Sequence, residues 1–119
     1  DDILYISDFS GLFHCLNAQT GELNWTYDML SAACGSPLIV NRKVYIGDED
    51  GEIAIFLHSA DKYEAMKEEF GAMEPYYGTR YMGATVYSTP IVAGHVLYIA
   101  SQSHLFAITP TPPQESTSP

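Results

Sequence analysis

Positive charge is what this sequence has least of. Five Lys and Arg stand against fifteen Asp and Glu, a net charge of −10 over 119 residues. Such a surface repels phosphate backbones and anionic membrane surfaces, which argues against nucleic acid as a partner. Cysteine is nearly absent too. Cys15 and Cys34 fall in neither C-x-x-C nor C-x-x-C-H spacing, so there is no case for a zinc ribbon, a redox motif or an attached haem. One disulfide and two buried thiols both remain open. No run of 18 apolar residues occurs, which excludes a membrane-spanning helix. A strand pattern begins directly after Asp1-Asp2, with no basic and apolar leader before it. The protein is therefore read as cytosolic or as having its leader outside these residues.

Hydrophobic residues make up 46% of the chain and aromatics 13%, with nine Tyr against one Trp. This is the composition of a packed protein rich in strand formers. The length suits one domain with a modest core.

The main signal is an internal repeat. Leu4-Tyr5-Ile6 to Leu16, Val44-Tyr45-Ile46 to Phe56 and Leu97-Tyr98-Ile99 to Ile108 each read as strand, polar turn, strand. Gly35-Ser36-Pro37-Leu38-Ile39-Val40 and Ser88-Thr89-Pro90-Ile91-Val92 precede the second and third of these. The tyrosines recur after 40 and then 53 residues, and the two prolines are also 53 apart, so the middle unit carries about 13 extra residues. Gly11 and Gly51 close the first two turns, where a positive φ is needed without Cβ strain. Ala18 to Glu22, with Gly21, reads as a further tight turn leading to an outer strand over Leu23–Tyr27. A unit of about 40 residues with four short strands points to the blades of a β-propeller, as in WD40-like architectures.

The stretch Tyr5-Ile6, Gly11-Leu12-Phe13 and Leu16-Asn17-Ala18-Gln19-Thr20-Gly21-Glu22 with Trp25 resembles the PQQ-like (quinoprotein-type) propeller repeat. The resemblance covers roughly 3–57 and 84–108 and implies that Trp25 docks between adjacent blades. The middle unit lacks the Thr-Gly-x-x-x-Trp phrase and the third lacks the turn glycine. The expected fold is all-β, antiparallel blades of a partial propeller over 1–108. Its blade parts are 3–30, 31–83 and 84–108, with an insertion over 58–83 and a disordered Pro/Ser/Thr-rich tail over 109–119. Inside the insertion, Asp61 is a helix-cap candidate, whereas the repeat asks for a strand just before Gly83; the sequence leaves the segment unresolved. About two and a half blades cannot close a ring of roughly four to eight.

The candidate residues are read against plainer alternatives. Asp48, Asp50 and Glu52 could offer carboxylates to a hard cation, but the stretch lacks the spacing of an EF-hand loop, and a solvated turn fits better. His14, His58, His95 and His104 show no i, i+2 or i, i+4 pairing and read as ordinary strand or turn residues. Asn24-Trp25-Thr26 matches a glycosylation acceptor but falls in a predicted strand. Gly11, Gly21, Gly51 and Trp25 are assigned structural roles. Tyr76, Tyr77, Arg80 and Tyr81, which concentrate aromatics around one of two arginines, are the expected contact surface.

Three functions follow from the resemblance. The preferred one is a non-enzymatic scaffold or binding module, bacterial and periplasmic or extracellular, similar to outer-membrane-assembly propeller lipoproteins. It would bind a protein or small ligand, and the ring would be closed by further blades of a parent chain or by a homo-oligomer. The second is a fragment of a PQQ-dependent dehydrogenase holding PQQ and Ca²⁺, whose active site would lie outside this chain. The third is the sensor propeller of a multidomain protein such as a kinase. No catalytic residue is named, and no cofactor is evident.

Overall fold

Alternating β-branched and aromatic residues favour extended backbone, and each tyrosine-bearing strand turns back on the strand that follows it. The computed structural model describes residues 2–33, 35–66 and 78–109. In it β1 (Ile3–Ser7), β2 (Leu12–Asn17) and β3 (Leu23–Asp28) form a first antiparallel sheet in chain order. The second sheet holds β4 (Leu38–Val40), β5 (Lys43–Gly47), β6 (Glu52–Leu57) and β7 (Gly78–Tyr81). The third holds β8 (Ile91–Ala93), β9 (Val96–Ala100) and β10 (Leu105–Ile108). This is a partial β-propeller with nearly all-β content.

The segment left open by the sequence contains both of its candidates. Asp61 caps α1 (Lys62–Ala65), its side chain accepting from the Tyr63 N–H at 3.0 Å, and β7 pairs with β6 just before Gly83. The remaining insertion residues and the tail from residue 110 lie outside the described residues. Among the described residues no helix is long and apolar enough to cross a membrane.

Register makes the repeat explicit. Tyr5 stands opposite Cys15, Tyr45 opposite Ile55 and Tyr98 opposite Ala107, so these three pairs occupy one place in successive sheets. The same register sets Trp25 opposite Cys15 and Gly78 opposite Ile55. Gly78 thus stands where the first sheet carries its tryptophan. The two-residue hairpins at Asn41-Arg42 and Gly94-His95 have positive φ at both positions, matching the strand twist and leaving His95 in a turn.

The connections between sheets are laced in the same way twice. Met29 N–H donates to the Gly11 carbonyl at 2.8 Å, and Met82 N–H to the Gly51 carbonyl at 2.6 Å, tying each connection to the turn of the sheet it leaves. Glu49 N–H donates to Ala32 O and Gln102 N–H to Thr85 O, both at 2.8 Å, tying it to the sheet it enters. Nearer the opening strands, Ser36 N–H donates to Thr89 Oγ1 at 2.9 Å.

Each junction has its own core. Tyr5, Phe13, Cys15 and Trp25 of the first sheet pack against Val44, Ile46, Ala54 and Phe56 of the second. The other face of the second sheet, with Ile53 and half-buried Tyr45 and Ile55, meets Ile99, Leu97 and Phe106 of the third, together with Met82 and Val86. Positions buried inside are open at the two ends. Val44 and Ile46 are 0% exposed while their counterparts Leu4 and Ile6 are each 48% exposed. Ile53 is 1% exposed while its counterpart Leu105 is 69% exposed.

Candidate functional site

The acidic candidates lie at the turn that joins β5 to β6, which has a counterpart between β1 and β2. Asp8 N–H donates to Leu12 O at 3.0 Å, and Asp8 Oδ1 accepts from Leu12 N–H and Ser10 N–H at 3.1 and 3.0 Å. Asp48 repeats this geometry. Its N–H donates to Glu52 O and its Oδ1 accepts from Glu52 N–H, both at 3.0 Å. The third turn is one residue shorter, and Ser101 takes the aspartate's place: its Oγ accepts from His104 N–H at 3.1 Å and Ser103 N–H at 3.3 Å.

The expected solvated turn is wet only in part. Glu49 and Asp50 are exposed, but Asp48 is buried at 3% exposure, because Ala84 to Val86 of the following connection cross over it. Val86 N–H donates to the Asp48 carbonyl at 3.0 Å. Burial is the main cause that pushes the Asp48 carboxyl above its ordinary range. Asp8 goes the other way. Hydrogen bonds from Ser10, His14 and the Leu12 backbone hold its carboxyl down at about 2. Among the described residues no three His, Cys, Asp or Glu side chains converge as a metal cluster would.

His14 bridges two elements of the first sheet, its Nε2 lying 3.2 Å from Asp8 Oδ2 and its Nδ1 3.1 Å from Thr26 Oγ1. His58 lies across the first junction with Nδ1 2.9 Å from the Tyr5 hydroxyl. Burial lowers its pKa, and it raises that of Tyr5, which stays a neutral phenol. The Tyr5 oxygen also accepts Ser59 N–H at 3.1 Å, while Ser59 O accepts Trp25 Nε1–H at 2.9 Å. Trp25 is 3% exposed, with its ring 5.3 Å from Phe56 and 6.0 Å from both Tyr5 and Phe13. It joins the first two sheets and clamps the segment that leaves β6. Cys15 is a buried free thiol whose pKa burial raises; Cys34 lies outside the described residues.

The expected contact surface falls only in part within the described residues. Tyr76 and Tyr77 lie outside the described residues. Arg80 is placed by its backbone, opposite Ile53 on β7. Tyr81 is 66% exposed, its hydroxyl donating to Gly83 O at 3.3 Å. It borders an open cleft of about 390 Å³ between the second and third sheets, lined also by Met82, Gly83, Ser103, His104 and Phe106. Sequence reasoning named Tyr81 but missed His104 and Phe106 as its neighbours. His104, just before β10, and Phe106, within it, lie 23 and 25 residues further on, and only the stacking of the sheets brings them to Tyr81.

A family model described as the outer membrane protein assembly factor BamB matches residues 1–61. The chain belongs to this family. That span of the BamB-family chain holds the first sheet, Trp25, and the second sheet through β6.

No curated protein matches the chain. Among solved structures it is similar to BamB from Moraxella catarrhalis, at 26% identity and a TM-score of 0.66, over 91% of this chain and 30% of that one. It is also similar to the quinohemoprotein alcohol dehydrogenase ADHIIG from Pseudomonas putida HK5, at 19% identity and a TM-score of 0.62, over 83% of this chain and 15% of that one. The computationally designed Ika4 protein aligns at 12% identity and a TM-score of 0.63, over 92% of this chain and 61% of its own. The last two likenesses concern the fold alone. The BamB-family chain thus spans under a third of the natural structures it resembles.

Proposed function

We propose that this chain is a segment of a larger propeller that serves as a non-enzymatic scaffold or binding module, in the bacterial periplasm or outside the cell. One observation carries the reading. Leu4, Ile6 and Leu105 lie open at the ends, whereas the same repeat positions are shut at the inner junctions, as expected of a stack that continues in both directions. The side chains with chemical capacity are spent on the repeat itself: Asp48 on its turn, Tyr5 and Trp25 on Ser59, His14 on Asp8 and Thr26. Membership in the family of an outer membrane protein assembly factor supports both the location and a protein partner.

The test is the solution mass by light scattering, with and without PQQ and Ca²⁺. A scaffold keeps one mass and one melting temperature in all conditions. A rise in order only when both are added would favour a fragment of a PQQ-dependent dehydrogenase instead.

A further inference from the structure

We propose that the cleft between the second and third sheets receives an arginine side chain from a basic segment of a partner protein. The walls are the first argument. Tyr81, His104 and Phe106 line the cleft, with the rings of His104 and Phe106 6.0 Å apart at 36°, and none of the six lining residues is a lysine or arginine. Aromatic faces attract a guanidinium through the ring quadrupole, and the planar group can slide along a ring where an ammonium cannot.

The rim is the second argument. Met82, one of the lining residues, donates its N–H to Gly51 O in the turn that carries Asp50, and Glu52 pairs with Tyr81 across the strands. Glu49 belongs to the same turn, and its carbonyl accepts the Thr85 hydroxyl of the connection that runs on from the cleft. Arg80 precedes Tyr81 on β7, and the whole chain carries −10. Such a field steers cationic partners in and repels anionic ones.

Two residues lining the cleft depart from the repeat. Where the first connection has Leu30 at positive φ, the second has Gly83, also at positive φ, with nothing within 4 Å of where a Cβ would stand. Phe106 stands where the second sheet has Ala54. The wall of this cleft thus carries no side chain at Gly83 and a ring at Phe106.

The proposal rests on reading the chain as a binding module, and its test is independent of the PQQ titration. A fluorescent peptide alternating Arg and Gly is titrated into the full chain by anisotropy, beside the same peptide with Gln for Arg. The Arg peptide is expected to bind more tightly than the Gln peptide. Tyr81→Ala, at an exposed position, is expected to weaken it by roughly two- to fivefold with unchanged circular dichroism, and Asp50→Asn with Glu52→Gln to weaken it further. Equal binding of the two peptides, no binding, or full affinity in both Tyr81→Ala and His104→Ala would overturn the cleft assignment. The last result would reduce it to general attraction by an acidic surface, leaving the scaffold reading untouched.

Discussion

Between the first and second sheets the filling is aromatic: Phe13 stacks on Tyr5 and on Phe56 at 8° in each case, and Trp25 packs against all three rings. Between the second and third it is mainly aliphatic, built on Ile53, Val86 and Ile99, and Gly78 holds the tryptophan's place. The lacing is nonetheless the same at both, with Met29 and Met82, then Ala32 and Thr85, making equivalent backbone bonds. The difference teaches that backbone bonding sets the spacing of the blades and that the docking side chain is optional. A junction without the tryptophan is also free to open a cleft.

The sharpest way to break the comparison is at its aromatic side. Trp25→Ala removes a buried ring and the donor to Ser59 O, and should cost about 3–5 kcal/mol in urea unfolding. A change within about 0.5 kcal/mol, as at ordinary surface sites, would mean that the indole is as dispensable in the first junction as it is in the second.

The lacing can be tested at the turns. A Cβ on Gly51, at φ +92, would lie 2.7 Å from the Ala84 carbonyl oxygen, while one on Gly21, at φ +79, would meet nothing within 4 Å. Gly21→Ala should cost about 1–2 kcal/mol from the left-handed backbone alone. Gly51→Ala adds displacement of the connection, for about 3 kcal/mol in all. Equal melting temperatures for the two variants would show that the connection yields freely.

The finest distinction is between two copies of one turn. The Asp8 carboxyl titrates at about 2 rather than near 3.8, so its stabilising effect is present above 3.8 and fades as pH falls toward 2. Asp8→Asn should therefore lower the melting temperature at neutral pH, with the deficit closing in acid. The buried Asp48 carboxyl sits above 3.8, so its favourable effect is present at low pH and lost as pH rises through its raised value. Asp48→Asn, which keeps an oxygen for the Glu52 N–H, should gain on the parent protein as pH rises. Melting curves over an acid-to-neutral series separate the two, and parallel profiles would contradict the burial difference between the turns.

Much of the fold was legible because it is local. Tyr5, Tyr45 and Tyr98 mark strands in an alternating pattern, Gly11 and Gly51 mark turns, and Asp61 marks a cap; each signal lies within a few residues of its effect. What could not be read is the lateral stacking. Ser101 follows Tyr98 as Asp8 follows Tyr5 and Asp48 follows Tyr45, but that its hydroxyl takes over the bonds of the aspartate is seen only in the paired strands. Nor does the acidic stretch at 48–52 reveal that one carboxylate is dry and its neighbours are wet. That outcome depends on Val86 crossing it from 38 residues away. The cleft belongs to the same class, being shared by two sheets.

The bond from Ser36 N–H to Thr89 Oγ1 joins two residues that hold the same place in successive units, 53 positions apart. A duplicated unit would arrive with an acceptor for the unit before it and a donor for the unit after it. An array held by such self-matching contacts can lengthen by gene duplication without inventing a partner, and each new copy is then at liberty to lose its tryptophan.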